Sequence, residues 1–138
     1  MTVKEFLVLS RFVNKSDFDA YQIVRPRCEC KDGFSMSVQA GFGCYCYPRV
    51  SGSLAYYSVE IGYPSAEEKL LLKYADNEND PTDTVYGYVP IGLVEKVIKK
   101  HGGMDDERML KILNDWSTRH NLHREKFFKK GLEAIRYW

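Results

Sequence analysis

A strict alternation of apolar and polar side chains over residues 34–40 is the feature that most constrains how this chain folds. The apolar set is Phe34, Met36, Val38 and Ala40, and the polar set between them is Ser35, Ser37 and Gln39. This period of two is typical of a β-strand with one buried face. Glycine-containing triplets at 31–33 and 41–43 flank the strand and favour tight hairpin connections. The stretch therefore predicts a three-stranded antiparallel meander with residues 34–40 as its middle strand.

The rest of the chain adds further strands and then helices, which predicts an α+β fold. Thr2 and Glu5 have the spacing of a capping box, so a first helix is expected over about 2–13. Further strands are predicted over about 57–63, 70–75 and 84–89, and further helices over about 90–101, 105–119 and 121–137. These elements predict an antiparallel sheet of about five to six strands packed against an N-terminal helix and three C-terminal helices. Residues 1–138 are expected to form one domain, with an α+β core over 1–103 and a helical hairpin extension over 104–138.

The composition is that of an ordinary globular protein, and its charge is nearly balanced. The formal net charge is +1, which excludes a strongly acidic nucleic-acid mimic and argues against a protein that is basic over its whole surface. Residues 65–88 are locally acidic, whereas residues 108–138 carry eight lysines and arginines against three acidic side chains. The sequence shows no signal peptide and no apolar run of about 20 residues, so we expect a cytoplasmic protein without a membrane partner.

Cys28-x-Cys30 and Cys44-x-Cys46 have the paired spacing of a four-thiolate zinc site. In the predicted meander, however, all four side chains point to the buried face, with one pair on each outer strand. Strands two places apart are about 9–10 Å apart, whereas the sulfur ligands of one zinc ion lie about 4 Å apart. We therefore expect core thiols, no metal and no cofactor, because free cysteine behaves as a small buried hydrophobe. A zinc site at the four cysteines is the alternative, and it requires a different arrangement of the strands.

No residue pattern predicts catalysis. His120-x-x-His123 would place two imidazoles one helical turn apart, but surface histidines beside Arg119 and Arg124 are the commoner explanation of this spacing. The glycines at 41 and 43 lack the helix start of a phosphate-binding loop. The acidic residues of 76–83 lack the central glycine and the terminal glutamate of an EF-hand loop. We therefore expect a protein that is not an enzyme.

Four tyrosines indicate a recognition surface. Tyr45 and Tyr47 are expected on the face of the sheet opposite the cysteines, and Tyr86 and Tyr88 are expected to share one side of their strand. Tyrosine supplies contact area at low entropic cost, so an uncovered face of this kind is typical of a protein-binding surface. The alternative is that a helix covers the face. With the acidic loop that follows residue 75, the predicted partner-binding set comprises Tyr45, Tyr47, Tyr86, Tyr88, Asp76, Glu78 and Asp80.

The basic end of the chain is the alternative site. The side chains that would contact nucleic acid or an acidic protein are Arg119, Arg124, Lys126, Lys129 and Lys130. The two helices predicted over 105–119 and 121–137 are loosely compatible with a helix-turn-helix arrangement, although the bend lacks a glycine. Alternatively, these side chains are only the solvent-exposed side of an amphipathic helix.

Several short motifs lie within about 25–103. They are 25–27 (Arg-Pro-Arg), 32–40, 48–49 (Pro-Arg), 59–65 (Val-Glu-Ile-Gly-Tyr-Pro-Ser), 84–90 (Thr-Val-Tyr-Gly-Tyr-Val-Pro) and 101–103 (His-Gly-Gly). Together they resemble a family of small proteins from prophages and mobile elements of gut-dwelling Gram-positive bacteria. The resemblance brings no catalytic residues. It implies a small accessory protein that binds and redirects host machinery, as inhibitors of CRISPR nucleases and other defence systems do.

These observations lead to one main functional hypothesis. We expect a non-catalytic binding protein of phage or mobile-element origin that contacts a host protein, with inhibition of a host defence system (anti-CRISPR-like) as its sharpest form. A nucleic-acid-binding accessory protein that uses the basic C-terminal helix is the alternative. A small zinc-binding protein is the second alternative.

Overall fold

The computed structural model describes residues 1–11, 13–14, 25–119 and 122–123, and in them the chain is α+β. The main sheet is antiparallel with four strands in the order β2-β3-β4-β5, and a separate pair is formed by β1 and β6. The strands are β1 (Val13–Asn14), β2 (Cys28–Glu29), β3 (Ser35–Gln39), β4 (Ser58–Gly62), β5 (Val85–Pro90) and β6 (Leu122–His123). The helices are α1 (Val3–Leu9), α2 (Ile91–Lys100) and α3 (Asp106–Arg119), with one 3-10 turn at Leu72–Tyr74.

The first hairpin of the sheet forms as the alternation predicts. Cys28 lies opposite Met36 in the register of β2 and β3. The Cys30 N–H donates to the Phe34 carbonyl at 2.8 Å, which closes the three-residue connection at 31–33. Gly33 has a φ of +94°, a backbone conformation that glycine adopts readily and that other residues disfavour. The strand at 34–40 and the turn before it are therefore confirmed.

The third strand of the predicted meander is wrong. The second neighbour of β3 is β4, so that Val38 lies opposite Ile61 and not opposite Cys46. The chain bends at the cysteines instead, since the Cys46 N–H donates to the Cys44 carbonyl at 3.0 Å. A β-branched pair in β4 buries more apolar area beside β3 than two cysteines would, which favours β4 in this position.

The strand predicted over 70–75 is also wrong, so the sheet has four strands and not five to six. Residues in this stretch form successive turns and the 3-10 turn at Leu72–Tyr74. The Glu68 carboxylate accepts a hydrogen bond from the Leu70 N–H at 3.0 Å and thereby holds the first of these turns. Only Ala75 reaches the sheet, through an isolated bridge to Tyr86.

The helices differ from the predictions mainly at the two ends of the chain. The capping box of Thr2 and Glu5 is confirmed, but α1 ends at Leu9 and residue 13 already lies in β1. The predicted helices at 90–101 and 105–119 are confirmed as α2 and α3. The last predicted helix, 121–137, lies outside the described residues except at 122–123, which form a strand, so its predicted start is wrong.

One core lies between the inner face of the sheet and the helices. Buried side chains of the sheet, of α1, of α2 and of the start of α3 belong to a single cluster. Met104 and Met109 are part of this cluster, so the start of α3 packs on the same core as the sheet. No helix among the described residues is long and apolar enough to cross a bilayer.

Both outer strands of the sheet have backbone partners beyond the sheet. Next to β2, the Asp105 N–H donates to the Glu29 carbonyl at 3.0 Å. Next to β5, the Asp76 N–H donates to the Val85 carbonyl at 2.9 Å. Short coil segments therefore cover parts of both edges, where a foreign strand would otherwise pair.

Candidate functional site

The connection between β3 and β4 carries most of the large apolar side chains that are exposed. Of the nine such residues in the described part of the chain, six lie between Ala40 and β4, and they are Phe42, Tyr45, Tyr47, Val50, Leu54 and Tyr57. We call residues 41–57 the aromatic loop. A connection longer than about 12–15 residues is uncommon in a compact domain and usually has a function.

Hydrogen bonds inside the aromatic loop hold it in one conformation. The Gly41 N–H donates to the Cys46 sulfur at 3.3 Å. The Tyr56 hydroxyl donates to the Val50 carbonyl at 2.7 Å, with the Tyr56 ring buried in the core. The Phe42 N–H donates to the Ser51 hydroxyl oxygen at 2.9 Å. The exposed side chains of the loop therefore stand on an ordered backbone.

Arg25, a buried cation, anchors the start of the aromatic loop. Its guanidinium donates to the carbonyl of Ala40 at 2.6 Å and to the carbonyl of Leu7, in α1, at 3.4 Å. It also lies 6.0 Å from the centroid of the Tyr56 ring. This single side chain thus joins α1, the end of β3 and the buried anchor of the loop.

Four exposed tyrosines form a patch, which we call the tyrosine patch: Tyr45, Tyr47, Tyr57 and Tyr88. Their exposed fractions are 47%, 62%, 69% and 50%, respectively. The ring centroids of Tyr45 and Tyr88 are 6.0 Å apart, and those of Tyr47 and Tyr57 are 5.9 Å apart. Both pairs are tilted, at 45° and 37°, so each forms an open angle of the kind that aromatic pairs prefer over a parallel sandwich.

Backbone hydrogen bonds bring these tyrosines together from the two ends of the aromatic loop and from β5. The Tyr88 N–H donates to the Tyr45 carbonyl at 2.9 Å, and the Tyr57 N–H donates to the Tyr47 carbonyl at 2.8 Å. The patch therefore depends on main-chain contacts within the aromatic loop and between this loop and β5.

A bulge in β5 determines which tyrosines are exposed. Val59 lies opposite Val89, but Ile61 lies opposite Tyr86, so two residues of β5 face one residue of β4. Tyr88 has a φ of +53° at this bulge, which is rare for a residue with a side chain. The predicted common side of Tyr86 and Tyr88 is therefore wrong, because Tyr86 is completely buried and Tyr88 is exposed.

The close approach of Tyr45 to β5 favours a glycine at position 87. A Cβ atom on Gly87 would lie 3.2 Å from the Cβ of Tyr45, closer than ordinary van der Waals contact. The backbone N–H of Tyr45 donates to the Glu60 carboxylate at 2.8 Å, so Tyr45 is held over β4 and β5. The tyrosine thus packs closely on the sheet while about half of it stays accessible.

The aromatic loop carries a single charge, on Arg49. The Arg49 guanidinium lies 5.3 Å from the centroid of the Tyr45 ring, within range of a cation–π contact. The neighbouring Glu60 carboxylate already accepts the Tyr45 N–H. The surface is thus aromatic, with one positive and one negative side chain beside Tyr45. It differs from the strongly basic groove that binds single-stranded nucleic acid.

The acidic loop does not join the tyrosine patch. Asp76, Glu78 and Asp80 are exposed, as expected, but they lie at the start of β5, where Val85 faces Gly62. The other end of the same hairpin, where Ser58 faces Pro90, carries Tyr57, so about five residues or roughly 16 Å separate the two surfaces. The buried Tyr86 side chain holds the acidic loop, since its hydroxyl donates to the Pro81 carbonyl at 2.5 Å.

Sequence reasoning missed Tyr57 and Arg49. The alternation over 57–63 predicts that Tyr57 points inward with Val59 and Ile61, and only these last two are buried. Tyr57 precedes the first residue of β4, so the alternation does not extend to it. The sequence did contain a signal, namely two adjacent tyrosines at positions 56 and 57. Consecutive side chains of an extended chain point in opposite directions, so burial of one of them exposes the other.

The four cysteines are free and do not converge. Cys28, Cys30 and Cys46 are buried, as expected of core thiols, and Cys44 is half-buried. Burial raises the pKa of Cys30 and of Cys44 to about 11, which disfavours the thiolate that metal binding or nucleophilic attack needs. Among the described residues, no three Cys, His, Asp or Glu side chains lie close enough together to hold a metal ion.

A charged cluster around His101 is a second polar feature that the sequence did not predict. Nδ1 of His101 lies 2.6 Å from the Asp32 carboxylate, and Nε2 lies 2.8 Å from the buried carboxylate of Glu68. Lys100 also donates to Glu68, at 2.9 Å, and the His101 ring stacks on Phe34 with centroids 4.0 Å apart. Because both ring nitrogens contact carboxylates, this imidazole connects the end of α2 to two other segments of the chain.

The alternative nucleic-acid site stays a prediction. Arg119 is the last residue of α3, and Arg124, Lys126, Lys129 and Lys130 lie outside the described residues. His120 lies outside them as well. Position 123 belongs to β6, so the helical turn that would place two histidines side by side is absent there.

No protein-family model, curated protein or solved structure matches the chain.

Proposed function

We propose that this chain is a non-catalytic binding protein that contacts another protein through the tyrosine patch. The observation that supports this most directly is the concentration of exposed aromatic side chains on one ordered loop. Among the described residues, six of the nine exposed large apolar side chains lie on the aromatic loop, and Tyr88 of β5 adjoins it. Exposed apolar clusters of this kind are typical of protein-interaction sites.

The ordered conformation of the aromatic loop supports a role of these exposed side chains in binding a partner. Each tyrosine presents a rigid ring with few rotatable bonds, so little conformational entropy is lost when a partner covers it. The loop backbone is already fixed by the bonds of Cys46 and Tyr56, so the loop itself has little left to order. Tyrosine and arginine are also the residue types that most often dominate the binding energy of protein interfaces.

The partner class that we propose is a host protein, with a component of a defence system as its sharpest form. This part of the proposal is supported by the resemblance of residues 25–103 to small prophage proteins, which is independent of the tyrosine patch. It predicts that the chain lowers interference by a CRISPR nuclease or a comparable system in cells that produce it. If substitution of the tyrosine patch abolished this inhibition, the binding surface and the partner class would be linked.

Paired affinity purification tests the binding site. The bait proteins are the tagged wild type, a Tyr47→Ala/Tyr57→Ala variant and a Tyr63→Ala control, incubated with lysate of cells that carry the gene. Tyr63 is 49% exposed but lies at the opposite end of β4, so it matches the patch in residue type and accessibility. We expect proteins that the wild type and the control retain and that the double variant loses.

A folding control accompanies this experiment. All three proteins should keep the same Tm within a few degrees, because Tyr47 and Tyr57 are mostly exposed. If the double variant is folded and captures the same proteins as the wild type, binding through the tyrosine patch is refuted.

A further inference from the structure

We infer that two copies of this chain associate through the tyrosine patch about a two-fold axis, so that the patch is covered while no other partner is bound. The proposed function gives this surface to a host protein, and the inference adds what occupies the surface otherwise. Three properties of the patch support a second copy as the occupant: the charges beside Tyr45, the phenol hydroxyl groups and the exposed area.

The charges beside Tyr45 are arranged for self-association. The Arg49 guanidinium lies over the Tyr45 ring, whereas the Glu60 carboxylate accepts the Tyr45 N–H, so a positive and a negative group lie at different ends of one residue. In a two-fold interface, residue i of one copy contacts residue j of the other, and j contacts i. An axis beside Tyr45 thus pairs Arg49 of each copy with Glu60 of the other, whereas a surface of a single sign would repel its own copy.

The tyrosines of the patch can also bind one another across such an axis. A tyrosine hydroxyl both donates and accepts hydrogen bonds, so the phenol groups of one copy are complementary to those of the other. Aromatic rings likewise pair in tilted arrangements, as Tyr45 and Tyr88 do within the chain. The acidic loop of each copy lies roughly 16 Å along the hairpin from the patch, beyond the Debye length of about 8 Å at physiological salt, so its repulsion is screened.

The exposed area indicates a weak dimer. Tyr45 and Tyr47 are two residues apart, so their Cα atoms lie within about 7 Å and the two tyrosine pairs are neighbours. At about 200 Å² per aromatic side chain, the four tyrosines expose roughly 450 Å². Two copies would therefore bury roughly 900 Å² in total, whereas a stable complex buries about 1,200–2,000 Å². An interface of this size is reversible, so a host protein can displace the second copy.

Sedimentation equilibrium of the full chain tests the inference. We expect a monomer–dimer equilibrium with a Kd between about 1 μM and 1 mM. The Tyr47→Ala/Tyr57→Ala variant should dimerise at least about tenfold more weakly, in line with the loss of interface hot spots. Tyr63→Ala is the control and should dimerise like the wild type, because Tyr63 lies at the opposite end of β4. A wild-type chain that stays monomeric at about 1 mM overturns the inference.

Charge reversal tests the two-fold geometry. Arg49→Glu brings two carboxylates together at both symmetric contacts, and Glu60→Arg brings two guanidinium groups together there. Each variant alone should dimerise at least about fivefold more weakly than the wild type. An equimolar mixture should recover the affinity of the wild type, because the heterodimer has opposite charges at both contacts. A mixture that associates as poorly as the separate variants overturns the inference.

A further variant keeps this test independent of the bond between Glu60 and the Tyr45 N–H. Glu60→Gln has no charge but retains a carbonyl oxygen that can accept this bond. Adding it to Arg49→Glu removes the repulsion, so the double variant should dimerise more tightly than Arg49→Glu alone. Thermal unfolding of each variant checks that it is folded. Equal dimerisation of these two folded variants contradicts the pairing of Arg49 with Glu60.

The outcomes separate this inference from the proposed function. In the affinity purification, the tagged wild type should also retain an untagged copy of the chain. If the chain is monomeric but captures host proteins through the tyrosine patch, the inference is overturned and the proposed function stands. If the untagged copy is the only protein that the patch captures, the proposed function is refuted and the inference stands.

Discussion

The Nε2 atom of His101 lies 2.8 Å from the Oε1 atom of Glu68, although 33 residues separate them in the sequence. Glu68 is buried almost completely, at 1% exposure, and also accepts hydrogen bonds from Lys100 and from the Leu70 backbone. His101 thus connects the end of α2 to the turn segment before Leu72, and its second nitrogen connects it to the β2–β3 turn. The segment around Leu72 is therefore attached to the rest of the fold by this charged cluster and not by the strand predicted at 70–75.

Substitution of His101 by phenylalanine should destabilise the protein. The variant keeps a ring that can stack on Phe34 but loses both hydrogen bonds to carboxylates. Removing one partner of a buried charged group costs about 1–3 kcal/mol of the free energy of unfolding. Urea unfolding at pH 7 measures the loss, and a double-mutant cycle with Glu68→Gln should show that the two substitutions are not additive. Unfolding curves equal to wild type would refute the role of the cluster.

Acid should destabilise the protein through the same cluster. Burial acts to raise the pKa of Glu68, but hydrogen bonds from Leu70, Lys100 and His101 outweigh it and hold the pKa below its usual value. Hydrogen bonds from the Phe34 N–H and from His101 likewise lower the pKa of Asp32. Both groups therefore bind protons more weakly in the folded state than in the unfolded state, whose values are about 3.9–4.3.

The stability from these two carboxylates is accordingly present above about pH 4.5 and lost as the pH falls through their folded-state values. Urea unfolding at a series of pH values from 7 to 3 should show a falling midpoint below about pH 4.5. Glu68→Gln cannot lose this contribution, so its midpoint should depend less on pH over this range. Parallel pH profiles for the two proteins would contradict the expectation.

Alanine at position 87 should disturb recognition more than stability. The added methyl group would lie 3.2 Å from the Cβ of Tyr45 and would push this side chain away from Tyr88. We expect changed NMR signals of Tyr45 and weaker capture of the partner, with a small loss of stability. Gly92→Ala is the control, because no atom lies within 4 Å of a Cβ there and alanine favours the helix by up to about 1 kcal/mol. Unaltered Tyr45 signals in Gly87→Ala would show that the contact is not restrictive.

Removal of the Tyr86 hydroxyl should loosen the acidic loop. Tyr86→Phe keeps the buried ring but deletes the bond to the Pro81 carbonyl. The expected loss is about 0.5–1.5 kcal/mol in the free energy of unfolding, with faster amide hydrogen exchange over residues 77–83. Tyr88→Phe is the matched control, and its stability should stay close to wild type because Tyr88 is half exposed. Capture of the partner should be unchanged in Tyr86→Phe, since the acidic loop lies away from the patch.

The local sequence pattern was sufficient to predict the elements that bury one continuous apolar stripe. The strand at 34–40, the turn at Gly33, and the helices α2 and α3 each follow from residues close together in the sequence. Their signals are strong because apolar period, turn chemistry and helix ends agree at each of them.

Competition between distant segments explains most of the errors in the sheet. The pattern places residues 44–49 and 57–63 equally well beside β3, and the choice depends on which of them buries more apolar area. The bulge at Tyr88 had no sign other than Gly87, and it reversed the expected side of Tyr86. The contact of His101 with Glu68 depends on the path of the chain between them, which short-range periodicity does not report.

The candidate site was therefore predicted in part. Tyr45, Tyr47 and Tyr88 are exposed, as the aromatic content of these segments indicated, whereas Tyr57 and Arg49 joined the patch through tertiary contacts. The acidic residues are exposed but lie on another surface.

The backbone partners at the outer strands have a consequence for how this protein can change over time. Because Asp105 and Asp76 already pair with the borders of the sheet, a binding partner gains affinity from side chains and less from strand-to-strand pairing. The side chains of the aromatic loop stand on a frame held by Arg25, Cys46 and Tyr56, which point inward. Substitutions at the exposed positions can thus alter specificity one residue at a time while the scaffold keeps its stability.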